Sequence, residues 1–114
     1  MHEVGLMTDA LKRALAAAEN AGAQRITGLT FRYDPTGHVT AEIVETLFLA
    51  MSNATLAQGA RLVVEPQQVA LQCLACGEDF LVAGSDVACP TCGRVGMPVS
   101  SVPELWLESI DIDE

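Results

Sequence analysis

The sequence predicts an α+β fold: a small three-stranded sheet with two helices on one face, interrupted by an inserted four-cysteine, zinc-ribbon-like subdomain. Three observations lead there. Two segments space their apolar residues as helices do, three alternate them as strands do, and all four cysteines fall between residues 73 and 92. The order helix, strand, helix, strand, insertion, strand lets one layer of helices cover one layer of sheet. Residues 1–72 and 99–114 are assigned to an α/β domain, and residues 73–98 to the insertion.

Residues 4–21 open the chain as an amphipathic helix. Met7, Leu11, Leu15 and Ala18 recur on one face with Ala10 and Ala14, while Asp9, Lys12, Arg13 and Glu19 fall between them. Gly22 is its stop signal. Ile26–Tyr33 alternates β-branched and aromatic residues and reads as a strand, closed by turn chemistry in Asp34-Pro-Thr-Gly37. A second helix fits 40–52, with Ile43, Leu47 and Met51 in line and Val44 and Phe48 beside them; 53–59 is a connector. A long second strand runs over 60–65 and continues past Pro66 into Val69–Gln72. After the cysteine module (73–93) and a connector at 95–98, a last strand runs from Glu104 to Asp113. Its apolar residues change parity between Leu105, Leu107 and Ile110, Ile112, which predicts a β-bulge near Glu108-Ser109.

Charge narrows the function. With 15 acidic and 6 basic residues the net charge is −9, which argues against a nucleic-acid binder, since gripping phosphates requires a basic face. Residues 1–57 hold 6 acids and 4 bases, and residues 58–114 hold 9 acids and 2 bases, so neither half is basic. Half the residues are hydrophobic but only 4% are aromatic, too apolar for a disordered acidic tail. The first residues lack the basic n-region of an export signal, and no apolar run is long enough to span a membrane. A cytoplasmic protein without membrane partners is expected.

In a reducing compartment clustered cysteines point to a metal. The pattern is Cys73-Leu-Ala-Cys76-Gly, a spacer from Gly77 to Ala88, then Cys89-Pro-Thr-Cys92-Gly. Each CxxCG makes a tight knuckle, and two knuckles offer four sulfurs in a tetrahedron, which Zn2+ accepts. With every position taken by thiolate no site is left for a catalytic water, so a zinc here reads as structural. Two disulfides, a redox CxxC or a rubredoxin-type iron would use the same four residues.

His2 has a chelating geometry no internal histidine shares. The Met1 α-amine and the His2 backbone nitrogen close a five-membered ring on a metal; that nitrogen and the imidazole Nδ1 close a six-membered one. The nitrogen of Glu3 completes four nitrogens in a plane, the arrangement suited to Ni(II) or Cu(II). The sequence implies that Met1 is kept, since a bulky second residue usually prevents its removal. The plainer reading of His2 is a solvated, frayed terminal residue. Glu3 and Asp9 could attract the cation or hydrogen-bond its ligands, or be ordinary surface charge. His38 is a turn histidine that could reach the metal or be solvated.

Taken together, Met1-His2-Glu3 with its helix, Thr55-Leu-Ala-Gln-Gly-Ala60, both CxxCG knuckles and the closing Glu104-Leu-Trp-Leu-Glu-Ser-Ile-Asp-Ile-Asp113 resemble the HypA/HybF family of nickel metallochaperones across essentially the whole chain. The resemblance implies nickel on His2 with backbone nitrogens of Met1, His2 and Glu3, and structural zinc on Cys73, Cys76, Cys89 and Cys92. It implies delivery to the [NiFe]-hydrogenase large subunit with a HypB-type GTPase as partner, and in some organisms service to urease maturation. It also implies that the last strand could exchange between chains. Asp34-Pro-Thr-Gly-His38 departs from the family's glutamate-containing turn, and Val4-Gly5-Leu6 from its usual serine and leucine. The competing class is a zinc-ribbon protein-interaction module with no nickel role. An enzyme is not expected, because no Ser/His/Asp order, phosphate loop or HExxH occurs.

Overall fold

A computed structural model describes residues 2–113. Eight elements follow one another: α1 (His2–Asn20), β1 (Arg25–Tyr33), α2 (Ala41–Met51), β2 (Arg61–Pro66), β3 (Val69–Cys73), β4 (Asp79–Val82), β5 (Gly96–Pro98) and β6 (Leu105–Asp113). They form two three-stranded sheets, ordered β2-β1-β6 and β4-β3-β5. The body is elongated, 53 × 25 × 18 Å.

Helix α1 buries Met7, Ala10, Leu11, Ala14 and Ala18 of the expected stripe, with Leu15 half-buried at its edge. Small residues on that stripe let the helix lie close to the sheet. It ends as Gly22 predicts: at φ +71° this residue turns the chain, its N–H donates to Glu19 O, and the Ala23 N–H donates to Ala18 O. This paired closure satisfies carbonyls the last turn would otherwise strand. The start is a correction, for the helix begins at His2 and not at Val4. In α2 the buried stripe centres on Val44 and Phe48, and Thr40 caps the first turn by accepting the Ile43 N–H at 3.2 Å.

β1 is the central strand of the first sheet, parallel to β2 through the α2 crossover and antiparallel to β6. Phe31, wholly buried, meets Phe48 edge-on at 6.3 Å and joins the two layers. The bulge expected near Glu108 is present: Thr30 pairs with Ser109 and Phe31 with Leu107, leaving Glu108 over. Its side chain turns to the outer face and accepts from Arg32 Nε at 2.8 Å. A second irregularity lies in β1, where Ile26 pairs with Ile112 and Gly28 with Asp111, leaving Thr27 over.

The expected continuation of the second strand through Val69–Gln72 is corrected. The chain leaves the first sheet at Pro66, and β3 pairs with β4 and β5 in the second. The stretch read as a connector at 95–98 supplies β5. Val69, Leu71, Cys73 and Cys89 are buried at this end, apart from the cluster beneath the helices.

Candidate metal centre

Two knuckles of equal construction build the cysteine end. Gly77 N–H donates to Cys73 O at 2.8 Å and Cys73 N–H to Glu78 O at 2.9 Å; Gly93 N–H donates to Cys89 O at 2.8 Å and Cys89 N–H to Arg94 O at 2.7 Å. Both turns pass through the left-handed region, at φ +77° for Gly77 and +78° for Gly93, where a Cβ would be strained. Thr91, inside the second knuckle, donates its hydroxyl to the Glu78 carboxylate beyond the first and clasps the two together.

The knuckles bring all four sequence-predicted cysteines to one point. Sγ of Cys73 is 3.3 Å from that of Cys92, Cys76 is 3.7 Å from Cys89, and all four sulfurs lie within 4.8 Å of one another. Thiolates at ~2.3 Å from a tetrahedral zinc stand about 3.8 Å apart, so the set fits the ion; a disulfide needs ~2.05 Å. The donor chemistry points the same way. Backbone N–H groups of Cys76 and Ala75, with the Cys92 side chain, outweigh burial and hold the Cys73 thiol down at about 6. At Cys76 the Glu78 N–H favours the thiolate, but the Cys73 sulfur, burial and the other two thiols together push it up to about 12. At Cys92 the Arg94 N–H and the Cys76 side chain favour the thiolate, but the Cys73 sulfur, burial and Cys89 together raise it. One thiolate is favoured and the next ones repelled, which is the electrostatics of a site that fills when a cation arrives.

The other predicted site lies at the start of α1. His2 is exposed and Glu3 half-buried, and the first-turn N–H groups of a helix have no acceptor four residues back. Met1, whose α-amine belongs to the predicted chelate, lies outside the described residues. An open depression of about 390 Å³ beside His2 is lined by Gly5, Leu6, Thr8 and Asp9. His38 is exposed in the bend before α2. The turn ahead of it is held by Asp34, whose carboxylate accepts from Thr36 N at 2.9 Å and Thr36 Oγ1 at 2.6 Å. A residue not anticipated from sequence is also present: Glu104 Oε2 lies 2.9 Å from His2 Nε2. No local pattern signals it, since the two are joined only by the packing of α1 on β6.

An α+β frame with four converged thiols at one end is the architecture of a small protein whose cysteines can hold a metal ion. A family model described as "Hydrogenase/urease nickel incorporation, metallochaperone, hypA" matches residues 1–112, and the chain belongs to this HypA family. Hydrogenase maturation factor HypA of Picosynechococcus sp. is 34% identical over 98% of this chain and 99% of that one. The factor of the same name from Geobacter metallireducens is 31% identical over 99% and 100%. The solution structure of the Ni metallochaperone HypA from Helicobacter pylori superposes with a TM-score of 0.64 at 16% identity, covering 96% of each chain, which shows the shared fold. Among the described residues, no helix is long and apolar enough to cross a membrane.

Proposed function

We propose that this chain binds Ni(II) at its N-terminus, through the His2 imidazole and backbone nitrogens of Met1, His2 and Glu3, and delivers it during [NiFe]-hydrogenase maturation, with urease as a further recipient. The observation that carries the reading is the family match over residues 1–112, which includes His2 in second position. The free first-turn N–H groups support it, because a backbone nitrogen already bonded within the helix could not lose its proton to a metal. A terminal site suits a carrier: ligands at the tip of a helix can surrender the ion without disturbing the core, whose nearest wholly buried side chain on α1 is Met7.

Cys73, Cys76, Cys89 and Cys92 hold a structural zinc in this reading. Bound there, zinc neutralises the crowded thiolates, and the knuckle N–H groups orient them. The proposed division of labour gives nickel capture to residues 1–72 with 99–114, less β3, and metal-stabilised docking to residues 73–98 together with β3, which pairs in the second sheet. Partners are a HypB-type GTPase and the hydrogenase large subunit, in the cytoplasm. The acidic surplus beyond residue 57 serves solubility and partner choice.

Titrating Ni(II) into zinc-loaded protein with a free N-terminus, and following absorbance for a square-planar complex, tests this directly. His2→Ala, or residues added ahead of Met1, should abolish the band. Nickel affinity that survives both changes would leave the cysteine insertion as an interaction module without a nickel role.

A further inference from the structure

Glu104 stands immediately before β6, and its placement is built. Its backbone carbonyl accepts the Asp34 N–H at 3.1 Å, and the next residue, Leu105, is buried and paired with Tyr33. The carboxylate is therefore carried on a strand end pinned to both the core and the turn after β1. Its Oε2 is closed off from solvent and has no hydrogen-bond partner among the described residues, yet His2 Nε2 lies 2.9 Å away. A buried carboxylate oxygen without a donor is uncommon, because leaving it unpaired costs its desolvation.

An imidazole has two nitrogens, and the one that carries the proton decides which can bind a metal. Only Nδ1 can close the six-membered chelate ring with the histidine's own backbone nitrogen, since Nε2 lies on the far side of the ring. A proton held on Nε2 leaves the Nδ1 lone pair free. We propose that Glu104 is a positioning residue of the nickel site: it accepts the Nε2–H of His2, and so fixes the tautomer and ring orientation that present Nδ1 to the ion. This rests on the N-terminal nickel reading. A carboxylate behind a metal-bound histidine also raises the basicity of the ligating nitrogen. The apparent cost of the unpaired Oε2 is recovered when the ring settles onto it.

The test uses zinc-loaded full-length protein with its native N-terminus, as wild type, Glu104→Ala, Glu104→Gln and His2→Ala. Nickel affinity is measured by competition with a chromophoric chelator, and the His2 ring nitrogens by nitrogen-15 NMR before nickel is added. Loss of an outer partner typically weakens a metal site by about 10–100-fold. That loss is expected in Glu104→Ala, with ring-nitrogen shifts drifting toward a mixture of tautomers. Glu104→Gln, whose side-chain oxygen can accept the same N–H, should recover most of both. Unchanged affinity and shifts in Glu104→Ala, beside complete loss in His2→Ala, overturn the positioning role while the N-terminal site stands. Equal loss in Ala and Gln variants also overturns it, by making the carboxylate charge itself the requirement. Nickel retained in His2→Ala overturns both readings together.

Discussion

Replacing Gly96 with alanine should loosen the cysteine centre without touching a sulfur. Gly96 is buried and stands opposite Cys73 in the β3–β5 ladder, so displacing its backbone moves a ligand. A Cβ there would lie 2.6 Å from Phe80 Cζ, 2.9 Å from Phe80 Cε1 and 3.2 Å from Leu71 Cβ. Carbon atoms pack best at ~3.5–4.0 Å, so the ring or the strand must give by about 1 Å. Leu71 blocks one side, and Phe80 is itself held across from Leu71 in the β3–β4 ladder. Overpacking of this kind costs about 1–3 kcal/mol. Because metal binding and folding are coupled in such modules, the strain should appear as roughly 5- to 140-fold weaker zinc affinity. Chelator competition reads the affinity, and Phe80 and Cys73 resonances report the displacement. Adding Phe80→Leu to Gly96→Ala removes the ring atoms and should restore much of the loss, a coupling that a double-mutant cycle isolates. Wild-type affinity with both resonances unmoved in Gly96→Ala would refute the reasoning.

Other perturbations have defined outcomes. Removing metal with a chelator, or Cys76→Ala or Cys89→Ala, should strip hydrogen-exchange protection from β3–β5 while the β1 and β6 amides stay protected; parallel loss in both sheets would refute separate stabilisation. Phe31→Ala removes a wholly buried ring at the junction of helices and sheet, and should lower stability by about 3–5 kcal/mol in urea unfolding. Ala54 sits at φ +64°, a conformation that penalises any Cβ, so Ala54→Gly should raise stability by about 1 kcal/mol in the same assay. In metal-free protein, thiolate absorbance should rise by about one equivalent as pH climbs through about 6, the Cys73 step, with Cys76 following only far above pH 9. The sign follows from Cys73 being depressed: its stabilising thiolate is present at high pH and lost as pH falls through about 6.

What the sequence discloses here depends on the range of the interaction. The knuckles are legible because Cys-x-x-Cys-Gly encodes a turn completed within a few residues. The end of α1 is legible because Gly22 allows a backbone angle its neighbours disfavour, and the Glu108 bulge because a parity slip must be absorbed somewhere. Thr27 leaves the same kind of trace, since Ile26 and Leu29 differ in parity, but Gly28 between them has no side chain to assign to a face. The destination of β3 is not encoded locally: Val69, Ala70 and Leu71 suit either sheet, and only pairing with β4 and β5 decides. The approach of Glu104 to His2 is beyond local reading altogether, because it joins the two ends of the chain through tertiary packing.

The topology also dictates an order of assembly. The central strand β1 emerges early, yet its antiparallel partner β6 is made last, and their ladder joins Arg25 to Asp113. During synthesis the first sheet must wait with one edge open, whereas β3, β4 and β5 are contiguous and can close as soon as the second knuckle appears. If the insertion has already closed on its metal, the slack between β2 and β6 shrinks from roughly 40 residues to about 10, and joining β6 to β1 becomes easier by about 1 kcal/mol of loop entropy. With the proposed zinc in place, a metal bound at one end of the chain would thus speed closure of a sheet it never touches.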